Sequence, residues 1–191
     1  MSARILRLAA GAIALAALAS SCAATVRAGN PGLCRQDDPE NRLSIPVPPV
    51  LGGLSVSIDQ AGTKTLRKEN RTNASYMCDG TVFSLRGGDN GKELKAVITL
   101  ERLTSDADTS DPDFRTRIVG DIVKGTERKP ERIGNTLVYK TKTNEQVMAI
   151  WFKERFMGIA MAREDQTTGI QGGVDFDRLL IEAISLDPVQ T

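Results

Sequence analysis

Tyr76-Met77-Cys78-Asp79-Gly80-Thr81-Val82-Phe83-Ser84-Leu85-Arg86 runs into Gly87-Gly88-Asp89-Asn90-Gly91, and Glu93-Leu94-Lys95-Ala96-Val97-Ile98-Thr99-Leu100-Glu101-Arg102-Leu103 follows. Both long runs carry β-branched and aromatic residues, and a block of turn formers separates them. In the second run Leu94, Ala96, Ile98 and Leu100 recur at every other position, which puts them on one face of a strand. Asn90-Gly91 supplies the positive φ angles that a tight hairpin demands. The stretch therefore reads as an antiparallel hairpin. Its glycines lie between two strands and not ahead of a helix, so a phosphate-binding loop is not implied.

Upstream, Leu54-Ser55-Val56-Ser57-Ile58 alternates as a third strand with one buried face. The apolar strip Ser44 to Leu51 holds Pro46, Pro48 and Pro49, which excludes a helix or a central strand and leaves an extended approach to the sheet. Asp59 to Ala74 is polar and basic and is expected to be a loop. Its Lys64, Arg67, Lys68 and Arg71 make a candidate surface for an anionic head group, beside a groove between loop and sheet.

Downstream, Asp106, Asp108, Asp111 and Asp113 invite a calcium loop. An EF-hand begun at Asp106 would need glycine at Asp111 and glutamate at Arg117, so the spacing fails. Asp111 instead caps a helix, Pro112 takes its first position, and Asp113 favours the positive end of the helix dipole. Phe114, Ile118, Ile122 and Val123 form its apolar stripe, and Gly125 is expected to close it. Strands are then expected over Asn135 to Thr143, with Leu137 and Tyr139 on one face, Gln146 to Phe152, and Phe156 to Ala162. In the last two, Val147, Ala149 and Trp151 share a face, as do Phe156, Gly158, Ala160 and Ala162. Phe176, Leu179, Leu180, Ala183 and Ile184 keep helical spacing behind Asp175, and Pro188 stops them. Three strands, a helix, three strands and a helix imply an α+β domain: an antiparallel sheet with a middle helix and a C-terminal helix packed on it.

The N-terminus carries the other strong signal. Arg4 and Arg7 precede an apolar run from Leu8 to Leu18 that is too short to span a bilayer, then Ala19-Ser20-Ser21-Cys22. This resembles the lipobox of bacterial lipoproteins, in which the thiol receives diacylglycerol with palmitate-like acyl chains and the chain is cut just before it. Residues 1–21 then form a lipoprotein signal peptide. Cleavage after Ala23 of an ordinary secretory signal is the alternative. Ala23 to about Gly32 is small and polar, a flexible tether in residues 22–33, and residues 34–191 form a single extracytoplasmic domain. The expected location is the outer face of the cell membrane, with Cys22 as the lipid anchor.

Three cysteines fit that reading. Acylation uses Cys22, and Cys34 with Cys78 remain as a disulfide pair in an oxidising compartment. Two distant thiols in a chain without histidine make at best half a zinc site. Removing Arg4 and Arg7 with the leader leaves 23 basic against 24 acidic residues, a net charge of −1. That balance gives no reason to expect nucleic acid.

The absence of histidine excludes every imidazole mechanism. No nucleophile elbow, P-loop or dinucleotide fingerprint is present. No catalytic residue, metal or cofactor is indicated. The lipobox leader, short tether, Ile45-Pro46-Val47-Pro48-Pro49 strip, antiparallel strands around a middle helix, and closing helix ending in Ile184-Ser185-Leu186 resemble the LpqN-type lipoproteins of actinobacteria, in the PsbP-like group. That resemblance implies an α/β/α sandwich that works by binding. After the prolines that family carries Gly-Trp, where this chain has Val50-Leu51-Gly52-Gly53. The expected function is that of a membrane-anchored binding or accessory protein for an envelope component, whether protein, lipid or glycan. A carboxylate-based envelope hydrolase is the alternative.

Overall fold

A computed structural model describes residues 45–46, 48–72, 76–123, 130–142, 146–163 and 173–186. In chain order its elements are β1 (Val50–Leu51), β2 (Leu54–Ile58), α1 (Gln60–Thr72), β3 (Met77–Gly87), β4 (Glu93–Leu103) and α2 (Pro112–Ile122). There follow β5 (Pro130–Ile133), β6 (Thr136–Lys142), β7 (Gln146–Lys153), β8 (Phe156–Arg163) and α3 (Phe176–Ile184). The eight strands form one sheet in the order β1-β2-β3-β4-β8-β7-β6-β5, antiparallel at every junction. The α+β expectation holds. Two four-stranded meanders meet where β4 pairs β8.

The opening hairpin is present, with a different turn. Gly88 (φ 82°) and Gly91 (φ 63°) take the positive angles, while Asn90 does not. Gly91 N–H donates to Gly88 O at 3.0 Å, and Asn90 Oδ1 accepts from Lys92 N–H. Asn90 thus acts through its side chain. Glu93 pairs Gly87, so the connection is longer than a two-residue turn.

Alternation sorts each strand between two cores. Phe83, Leu85, Ala96, Ile98, Leu100, Val138, Ala149, Trp151, Ala160 and Ala162 line one face, under Phe176, Leu179, Leu180, Ala183 and Ile184 of α3. Leu103, Tyr139, Ile150, Phe152, Met157 and Ile159 line the other, under Phe114, Ile118 and Val119 of α2. Helices thus cover both faces, and the strands read as long apolar runs because both of their sides are buried.

The helix ends follow the sequence. Asp111 Oδ1 accepts Asp113 N–H at 2.9 Å, the cap expected of it, and Asp175 Oδ1 accepts Arg178 N–H at 3.0 Å and caps α3. α2 ends at Ile122 with Val123 as its C-cap; Gly125, expected to close it, lies outside the described residues, as does Pro188. Glu182 Oε2 accepts Gly52 N–H at 2.6 Å and ties α3 to the β1–β2 turn.

Three elements correct the expected order. Val50–Leu51 forms a short edge strand, which the flanking prolines permit. Pro130–Ile133 forms a further strand, reversed at Gly134 (φ 59°) into β6. Residues 60–72, expected as a loop, are helix α1.

Candidate functional site

The basic residues Lys64, Arg67, Lys68 and Arg71 all lie on α1, and the way this helix docks decides what each of them can do. β2 pairs β3 only from Phe83 to Arg86, so the remainder of that β3 edge, from Met77 to Val82, needs other partners. The chain turns at Asp59 and supplies them. Asp59 N–H donates to Val82 O at 2.8 Å, and Val82 N–H donates to Thr63 Oγ1 at 3.0 Å. Arg67 Nε donates to Gly80 O at 3.2 Å. Asp59 also caps the helix, its Oδ1 accepting Gly62 N–H at 2.9 Å. α1 therefore takes over the edge where β2 stops.

One bulky side chain seats it. Leu66 is 3% exposed and rests over Gly80, where a Cβ would stand 2.5 Å from Leu66 Cδ2. Thr63 is buried beside it. No open loop lies over the sheet at this position. Leu66 and Thr63 pack between helix and strand here.

The four basic residues divide. Arg67 is structural: its Nε lies 2.7 Å from Asp79 Oδ1 and its Nη2 3.4 Å from Asp79 Oδ2, besides the bond to Gly80 O. Lys64 and Lys68 are exposed. Positions 64, 68 and 71 follow i, i+4, i+7 spacing and share the helix face opposite Leu66.

Beneath α1 lies a residue that sequence reasoning did not single out. Glu101 on β4 is 1% exposed. Asn70 Nδ2 of α1 donates to its Oε2 at 3.1 Å. Burial pushes its pKa up to about 7; the Asn70 hydrogen bond opposes the shift and the nearby charge of Glu69 adds to it. The sequence signal was faint. Glu101 falls on the same alternating face as Thr99 and Leu103, and only a covering helix makes that face dry.

The other predicted positions stand apart. Cys78 is half-buried and occupies the extra position of a bulge in β3, between the pairs Met77–Leu103 and Asp79–Arg102. Its expected partner Cys34, and the lipidation residue Cys22, lie outside the described residues. In the aspartate loop, Asp108 Oδ1 accepts from the Ser110 hydroxyl at 2.6 Å and its N–H at 2.9 Å, which holds its carboxyl below the usual range. Among the described residues no group of three or more His, Cys, Asp or Glu is placed to hold a metal ion. Among them also, no helix is long and apolar enough to cross a membrane.

Comparison with protein-family models, with curated proteins and with solved structures returned no match. The functional reading therefore rests on the residues themselves.

Proposed function

We propose that this chain is a membrane-tethered lipoprotein of the cell envelope that binds and does not catalyse, and that α1 is the surface it offers to an anionic envelope component. The observation that carries this reading is the division of labour on α1. Arg67 and Leu66 fasten the helix, while positions 64, 68 and 71 share one helix face, on which Lys64 and Lys68 are exposed. Three basic residues on one helix face near a membrane attract anionic head groups at about 1 kcal/mol each, an effect weakened by salt. The leader ending in Cys22 supports the tether. The placement of helices on both faces of the sheet agrees with the proposed PsbP-like sandwich of the LpqN type.

The hydrolase alternative calls for two carboxylates in a cleft open to a glycan. Glu101 has the raised pKa such an acid needs and Glu69 lies near it, yet Glu101 is sealed beneath Leu66 and Asn70. That burial favours the binding reading.

The test uses a chain with Cys22→Ser, so that no acyl group contributes to binding. Vesicles of phosphatidylcholine with phosphatidylglycerol should retain it, and retention should fall at least tenfold with Lys64→Glu, Lys68→Glu and Arg71→Glu combined, by roughly 1 kcal/mol or more per charge. Equal retention of the triple variant and its parent would remove α1 from the proposal.

A further inference from the structure

Glu101 sits where three elements meet. Across the sheet it pairs Gly80 of β3 and Met157 of β8, and α1 covers it with Leu66 and Asn70. Gly80 leaves a notch with room for no more than these groups: a Cβ there would stand 2.5 Å from Leu66 Cδ2 and 3.2 Å from Glu101 Cγ. Charged groups of the packed elements bear on it in different ways. α1 brings Glu69, whose charge opposes ionisation of Glu101, and Arg67, whose guanidinium is engaged by Asp79 and Gly80 O of β3. β8 brings the apolar Met157. The side chain that bonds to Glu101 is the neutral amide of Asn70.

We propose that Glu101 is a proton-sensitive latch for α1: its neutral carboxyl lets the helix lie closed on β3 and β4, and its ionisation loosens that contact. Opening α1 returns Glu101 to water, which a carboxylate gains far more from than a carboxylic acid does. Because Glu101 titrates near 7 when covered and near 4.5 when solvated, the closed state keeps a proton that the open state loses. Docking is therefore firmest below 4.5, weakens as pH rises from 4.5 to about 7, and stays at the weaker level above. The leading cause is burial, so the effect depends on the helix being closed. The basic face of α1 is carried on the same helix, so the latch would regulate whatever that face binds. The latch itself does not depend on such binding.

Amide hydrogen exchange on the full chain, corrected for the intrinsic effect of pH, tests it, with β7 as internal reference. Protection of residues 60–72 relative to β7 should fall by about tenfold or more between about pH 5.5 and pH 8.5 in the wild type. In Glu101→Gln it should be flat across that range. Glu69→Gln should move the wild-type midpoint to lower pH, because a charge opposing ionisation is removed. A pH-independent α1 in the wild type overturns the latch, as does an undiminished pH response in Glu101→Gln. If Glu101→Gln does not fold, an unmoved midpoint in Glu69→Gln overturns it equally. None of these readouts involves vesicles, so failure of the binding test leaves the latch to stand or fall on its own.

Discussion

Gly158 pairs with Trp151 across β7 and β8, and a Cβ at Gly158 would lie 2.1 Å from the Trp151 ring. The ring thus lies over the glycine, in a slot that any side chain would close. Trp151 is 3% exposed, and it packs with Ala149, Ala160 and Ala162 on the α3 side of the sheet. Alternation in the sequence places these residues on their faces correctly. The dependence of Trp151 on Gly158 is a matter of register, which alternation does not give. Gly158→Ala should destabilise the domain by about 1–3 kcal/mol through overpacking, a fall in Tm of roughly 4–10 °C for a domain of this size. Trp151 is the sole tryptophan, so its emission should shift to the red in the native variant. An unchanged spectrum and Tm would show that the ring has another place to go.

At the scale of elements, the strongest periodicities were legible and the weakest were not. The stripe Phe176, Leu179, Leu180, Ala183, Ile184 is wholly buried as α3, and Phe114 with Ile118 anchors α2 as read. Residues 60–72 carry one bulky apolar side chain, Leu66, so no hydrophobic periodicity marks a helix there. What holds α1 is the unfinished edge of β3, whose backbone groups are met by the Asp59 N–H, the Thr63 hydroxyl and the Arg67 guanidinium. An edge left by a short β2 is visible only once strands are paired, so sequence pattern could not supply it. The second miss follows from the first. With a loop expected over Asp59 to Ala74, Glu101 would face water and keep an ordinary pKa. With a helix there, the same glutamate is dry. The basic residues were found in the sequence, but the separation of the fastened Arg67 from positions 64, 68 and 71 on another face needed the helix.

At the scale of the whole molecule, the sheet and its two layers of helices form a body with two proposed links to the membrane, a lipid on Cys22 and the basic residues of α1. Cys22 is expected to carry the lipid. Cells fed an alkyne fatty acid should label the wild type and leave Cys22→Ala unlabelled, and equal labelling of the two would end the anchor reading. Cys78 is the bulge residue near the start of β3. A bulge takes a residue out of the ladder register, so a cross-link at Cys78 need not disturb strand pairing. We propose that Cys34 and Cys78 form a disulfide that ties the tether to the edge of the sheet beside α1. Closing a chain loop of that length stabilises by about 4 kcal/mol in the chain-entropy treatment. Peptide mapping of exported protein without reduction should recover the two cysteines in one cross-linked fragment. Cys34→Ser should lower stability by about 3–4 kcal/mol, and adding Cys78→Ser should cost little more, since the pair acts as one constraint. Recovery of both thiols free to alkylation in the exported protein would refute the bridge and leave the tether attached to the fold by backbone and packing alone.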